Sequence, residues 1–214
     1  MSEDVSVEEV LQKLRAERPP PKASVYHLVL GDNRLPRKGA LLDCGVKLDG
    51  EVLAVTAMCT VSEELQAKRE EALKAIAAGP EGFSADVAFG EAMAIGRCPG
   101  RMLRVCAALC CLFEIAPIDG EEDPMSGLWT GFWKPTQDTF TGDPKVWLEK
   151  LGSFKPELAE DIVGNAVAAL ARIEKYVEHP DFRPEEVKKT ALAFELVSAW
   201  VLVQVEVLRE LSGM

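Results

Sequence analysis

Apolar residues recur at helical spacing along most of the chain, and the interruptions fall at Pro and Gly. Val7, Val10, Leu11 and Leu14 share one helical face, which predicts a short amphipathic helix over 5–18. Pro19-Pro20-Pro21 ends that helix and favours an extended spacer. The pattern then changes: Val25-Tyr26-His27-Leu28-Val29-Leu30 is β-prone and stops at Gly31-Asp32-Asn33. Gly45-Val46-Lys47-Leu48 and Val52-Leu53-Ala54-Val55 flank Asp49-Gly50, a hairpin signal. Residues 1–60 are thus expected to form an N-terminal arm, either a small β-containing segment or an irregular one that orders on docking to a partner.

From Ser62 the pattern is helical. Ser62 with Glu63 and Glu64 suits a helix start, Leu65, Ala72, Leu73 and Ile76 form its apolar set, and Gly79-Pro80 ends it. Further helices are expected over 86–95 and 101–115, with Pro99-Gly100 forcing a corner between them. The second is apolar except at Arg101, Arg104 and Glu114, as the buried centre of a domain would be. Pro117 to Pro124 reads as an acidic loop whose trailing aromatics, Trp129, Phe132 and Trp133, are expected to fold back on the core, the alternative being an exposed aromatic patch for a partner. Two further helices are expected over 156–165 and 166–178. Pro180 stops that last helix, and Pro184 with Glu185 and Glu186 starts a long one with Trp200 deep in its apolar stripe. The expected fold class is mainly α: an orthogonal bundle of about six helices over 61–214, behind the arm at 1–60.

Composition adds limits. At 214 residues, with 48% apolar and 28% charged side chains, the chain can bury a sizeable core and is one or two domains. No apolar run approaches the roughly 20 residues that a membrane span needs. The start, Ser2-Glu3-Asp4, is acidic where a secretory signal would be basic, so a cytosolic protein is expected. The six cysteines include Cys106, Cys110 and Cys111 in one apolar segment and form no CxxC pair, which points to reduced, packed thiols. The net charge is −11, with 11 basic and 13 acidic residues over 1–80 and 13 basic and 22 acidic over 81–214. No basic field exists to meet phosphate backbones, so nucleic acid is excluded as an expected partner.

The chemistry of catalysis is missing. There is no GxxxxGK[ST] phosphate loop, and of the two histidines His27 lies in an apolar run while His179 precedes Pro180 at a helix end. Glu121-Glu122-Asp123 lacks calcium-loop spacing. The chain is therefore expected to be neither an enzyme nor a binder of cofactor or metal, a thiol-dependent activity being the distant alternative.

The segment Pro180-Asp181-Phe182-Arg183-Pro184-Glu185-Glu186-Val187, followed by the Trp200-Val201 helix, resembles the last part of the dynein heavy-chain stalk microtubule-binding domain. That family has a PDF-x-P-x-x-V loop before its final helix. Earlier motifs fit in order: Cys98-Pro99-Gly100 takes the place of the family's NPP corner, Arg104 that of a Lys, and Ala108-Leu109-Cys110-Cys111 that of a Cys-bearing turn. Trp133 to Phe154, with Trp147 where the family has Phe, is similar to its W…D-x-x-F-L helix. The resemblance covers roughly 83–211, and the helix from Ser62 would be the stump of a stalk.

The resemblance implies a non-motor microtubule-binding or axonemal module, placed in the cytoskeleton and within a cilium. Its tubulin-facing positions carry over to Arg97, Lys145, Lys150, Lys188 and Lys189. Without a motor to slide its stalk helices, such a module binds passively. Three departures matter. Ala199 and Leu192 stand where the family is often basic, and Ala108 replaces a Glu, which removes an expected internal ion pair with Arg104. Fewer basic contacts on an acidic body make tubulin affinity weak and steeply salt-dependent. The alternative is an interaction scaffold that kept the fold and lost tubulin. It draws on residues 201–208, an apolar stretch that needs cover from the chain itself or from a protein partner.

Overall fold

The fold is seen in a computed structural model, which describes residues 6–17, 25–30, 33–34, 56–159 and 161–213. Helix α1 (Val7–Glu17) opens with a reciprocal cap: the Ser6 hydroxyl accepts from the Glu9 N–H at 3.2 Å, and the Glu9 carboxylate accepts from the Ser6 N–H at 2.8 Å. Strand β1 (Val25–Leu30) lies where the β-prone run predicts it. It is the centre of an antiparallel sheet of order β2-β1-β3, between β2 (Asn33–Arg34) and β3 (Thr56–Thr60). The register sets Val25 opposite Thr60 and Val29 opposite Arg34. The spacer at 19–21 and the hairpin expected at Asp49-Gly50 fall outside the described residues.

The rest is helical. Helices α2 (Glu63–Ala78), α3 (Ala85–Met93), α4 (Gly100–Leu112), α5 (Trp133–Phe140), α6 (Pro144–Ser153), α7 (Ile162–Val177), α8 (Pro184–Lys188) and α9 (Leu192–Ser212) follow in order. That makes eight helices after residue 61 among the described residues, against the six or so expected from the pattern. The difference has three sources.

The helix that the resemblance implies over 133–154 is two. Thr141 has a positive φ of 36°, and Asp143, which precedes Pro144, leaves the helical region and accepts from the Lys145 N–H at 2.9 Å as the cap of α6. The indole of Trp147 closes the corner by donating to the Thr141 carbonyl at 2.9 Å. The two helices expected over 156–178 are one. Residues Pro156–Leu158 make a single 3-10 turn, and Asp161 caps α7 through the Gly164 N–H at 2.9 Å. Gly164 is a poor helix former, yet it serves this cap: a Cβ there would lie 2.0 Å from the Asp161 carboxylate. The long helix expected from Pro184 breaks at Thr190-Ala191, where Ala191 is extended at φ −155°. No Gly or Pro lies between Pro184 and Ser212, so packing with the rest of the bundle, not local sequence, sets that break.

The core is centred on α4 and α9. Met102 to Cys110 of α4 are buried without exception, Arg104 included. Trp147 lies among Phe140, Phe89 and Phe194, with ring centroids 4.5, 5.0 and 5.7 Å away. Trp200 stacks on Phe113 at 6.2 Å and meets Phe154 edge-on at 5.9 Å. The apolar stretch of α9 finds its cover within the chain. Val201, Val205, Val207, Leu208 and Leu211 are buried, and α2 and α7 are the helices packed most extensively along α9. Ser62 does not cap α2; its N–H and hydroxyl both bind the Glu210 carboxylate, at 2.7 and 2.9 Å, and tie the start of α2 to the end of α9. A second tie is nearly buried: Arg69 of α2 meets Glu157 at 2.8 Å, with both side chains 12% exposed.

Candidate functional site

The fold divides the five candidate cations. Lys145 and Lys150 stand exposed on α6 with no carboxylate in ion-pair reach among the described residues. Arg97 follows α3, and Lys188 and Lys189 close α8. Those three are already engaged: Arg97 with Asp123 at 3.1 Å, Lys188 with Glu195 at 3.2 Å and Lys189 with Glu186 at 2.6 Å. Each pair has an exposed cation, so water and salt screen it and it can be opened at small cost.

Around Arg97 and α8 the structure assembles a corner that the cations alone do not reveal. Arg101, the second residue of α4, reaches Asp181 at 3.4 Å and Glu186 at 3.2 Å. The loop of the Pro180-Asp181-Phe182 motif is thereby held against the Cys98-Pro99-Gly100 corner, 80 residues away in the chain. Lys189 first and Arg101 after it hold the Glu186 carboxyl below its usual range against partial burial. Asp123 is likewise held low, chiefly by the Ser126 hydroxyl and then by Arg97. The loop over 123–126 closes on the start of α4, and only glycine permits this, since a Cβ at Gly100 would sit 2.7 Å from the Ser126 Cβ. Arg101 carries no local signal that marks it out: its partners are brought in by the tertiary fold.

Arg104 is the more unusual member. It is 6% exposed, its Nε is buried without a hydrogen-bond partner, and no carboxylate of the described residues lies in ion-pair reach. Ala108, one turn on, is fully buried and offers no charge. Burial pulls the guanidinium below its ordinary value, against the opposing effects of Asp181 and Tyr176. Arg104 lines a cleft of about 400 Å³ with Gly100, Arg101, Ser126, His179 and Thr190, and a second of about 300 Å³ with Trp129, Lys175 and Tyr176. His179 accepts at Nδ1 from the Asp181 N–H at 3.2 Å, and no cysteine lines its cleft.

The acidic loop folds back in part. Phe132 and Trp133 are buried, and the Trp133 indole donates to the Ile95 carbonyl at 3.2 Å, whereas Trp129 stays 43% exposed although its indole is anchored on the Ile118 carbonyl. Cys106 and Cys110 are poor nucleophiles. Burial pushes Cys110 up to about 12, the Thr136 hydroxyl opposing it at 3.4 Å, and pushes Cys106 well up beside Cys98. No disulfide links Cys98, Cys106, Cys110 or Cys111. Among the described residues no group of His, Cys, Asp and Glu is arranged to hold a metal ion, and no helix is long and apolar enough to cross a membrane.

No protein-family model matches the chain, and no curated protein is significantly similar to it in sequence. The features of the site, among the described residues, are two lysines on α6 outside any ion pair, an ion-paired corner joining α4 to α8, and one buried arginine whose Nε has no partner.

Proposed function

We propose that this chain is a non-motor binding module of the dynein-stalk-tip type, an orthogonal helical bundle that binds passively to a microtubule or ciliary lattice. The observation that carries the reading is the contact of Arg101 with Asp181 at 3.4 Å, which joins the two segments of motif resemblance, the Pro99-Gly100 corner and the Pro180-Asp181-Phe182 loop. In this reading α2 is the stump of a stalk. The cations facing the acidic lattice are Lys145 and Lys150 first, because their charge is not spent inside the chain. Arg97, Lys188 and Lys189 contribute only by exchanging their present partners for lattice carboxylates. Binding needs neither cofactor nor catalysis, and the cytoskeleton, in a cilium or axoneme, is its place. Co-sedimentation with microtubules at low and at physiological salt tests the reading. Pelleting at low salt that falls steeply as salt rises supports it; no pelleting at either salt overturns direct tubulin contact.

A second reading is favoured by one specific observation: three of the five candidate cations are engaged by Asp123, Glu195 and Glu186. In that reading the bundle is a scaffold that contacts a lattice-resident protein instead of tubulin. A labelled copy in ciliated cells would then concentrate on the axoneme even though the purified chain does not pellet with microtubules. Diffuse distribution would remove both readings.

A further inference from the structure

The corner contains a set of donors with no acceptor. Helix α4 begins at Gly100, its N-cap is Pro99, which has no side chain able to cap, and its first turn holds no acidic residue. The first hydrogen bond into that turn runs from the Leu103 N–H to the Pro99 carbonyl at 2.8 Å, and no acceptor among the described residues takes the N–H of Gly100, Arg101 or Met102. Free N–H groups and the positive end of the helix dipole coincide there. By itself a helix start is solvated and needs no ligand. Here a second feature lies in the same cleft: Arg104, more than nine-tenths buried and with an unpartnered Nε. A largely buried arginine with an orphaned Nε and no paired carboxylate among the described residues is costly, and an anion at the guanidinium lowers that cost.

We propose that the cleft between the start of α4, the 123–126 loop and the 179–183 loop is a binding site for a phosphate group, either free or carried as a monoester. Charge permits it: Arg101 is engaged by Asp181 and Glu186, and Asp123 beside Gly100 by Arg97, which leaves Arg104 as the lining cation whose charge no carboxylate of the described residues meets. Donor number distinguishes phosphate from carboxylate. The Gly100 and Arg101 N–H groups, the several N–H donors of the Arg104 guanidinium and the Thr190 hydroxyl exceed the roughly four lone-pair sites of a carboxylate, while a phosphate with three terminal oxygens can accept more of them. Size fits as well, since about 400 Å³ admits a phosphate together with part of the group that carries it. The glycine at position 100 has a second consequence here: it lets the Ser126 loop close one side of the cleft. This site is separate from the α6 lysines, and its existence does not depend on lattice binding.

The test uses the full chain without microtubules. Inorganic phosphate, O-phosphoserine and acetate are titrated at fixed ionic strength set by sodium chloride, and binding is read by thermal shift and by the amide resonances of the wild-type protein. Saturable stabilisation by phosphate or O-phosphoserine, with shifts centred on the Gly100, Arg101 and Met102 amides, is expected. Tighter binding of O-phosphoserine assigns a monoester as the source, and tighter binding of inorganic phosphate assigns the free ion. Arg104→Met removes the unpaired charge, so the variant is expected to melt no lower than wild type in phosphate-free buffer and to bind phosphate about tenfold or more weakly. If phosphate stabilises no more than chloride, if acetate does as well, or if the shifted amides lie elsewhere, the proposal fails. Those wild-type readouts decide the matter even where the variant does not fold. Failure here leaves the lattice reading untouched, because no step of it uses this cleft.

Discussion

Trp147 shows how a single residue joins the elements of this bundle. Its ring lies within 5.7 Å of Phe140, Phe89 and Phe194, on α5, α3 and α9, while its indole N–H is spent on the Thr141 carbonyl at the α5–α6 corner. Trp147→Ala is therefore expected to cost about 3–5 kcal/mol in chemical denaturation, and a loss under 1 kcal/mol, by the same scale, would show that the cluster does not hold the corner. At Cys110 the expectation is kinetic. With its thiol raised to about 12, the thiolate is scarce near neutral pH, so iodoacetamide at about pH 8 should leave Cys106 and Cys110 unmodified until denaturant is added. Rapid native labelling of Cys110, seen by peptide mass spectrometry, would contradict the burial. Legibility differs among these residues. Packed, reduced cysteines could be inferred from their apolar surroundings, and the missing partner of Arg104 from Ala108. That the 122–129 and 179–183 loops would fold over Arg104 could not, because both are brought to it by the tertiary fold and not by any local pattern.

Element ends explain most of the agreement and most of the misses. Gly79 ends α2 at φ 80°, and its N–H returns to the Ala75 and Ile76 carbonyls. A Cβ there would meet the Ala85 nitrogen at 2.5 Å and the Phe83 carbonyl oxygen at 2.8 Å. Gly79→Ala should accordingly lower stability by about 1–3 kcal/mol, measurable by urea denaturation, while Gly82→Ala, with open space around its Cβ, should cost less. Such stops were legible because Pro and Gly announce them. The α5–α6 split is legible too, at Asp143-Pro144, where the residue before a proline is turned out of the helical region. The α8–α9 break was not, since nothing between Pro184 and Ser212 departs from good helical sequence. Ser62 is instructive in the same way. A residue with the chemistry of a cap instead spends both donors on Glu210, 148 positions away, a partner no local pattern can supply.

On the scale of the whole molecule, the acidic balance and the distribution of unpaired cations govern what the surface can bind. The apolar run of α9, which in sequence suggests a partner, is covered by α2 and α7, so the side chains left outside any ion pair among the described residues are the α6 lysines, Lys145 and Lys150. The mainly helical fold was legible from periodicity. The division of the five cations into two unpaired and three paired was not, because Asp123, Glu186 and Glu195 reach them through side-chain geometry and tertiary folding. The lattice reading therefore rests on Lys145 and Lys150. Its most direct test is microtubule co-sedimentation at low salt of the wild-type chain beside Lys145→Glu/Lys150→Glu and Lys188→Glu/Lys189→Glu. The account predicts that the α6 pair loses most of the pelleted fraction, by about tenfold in affinity or more, while the α8 pair changes it by less. Equal pelleting of wild type and the α6 variant would contradict it.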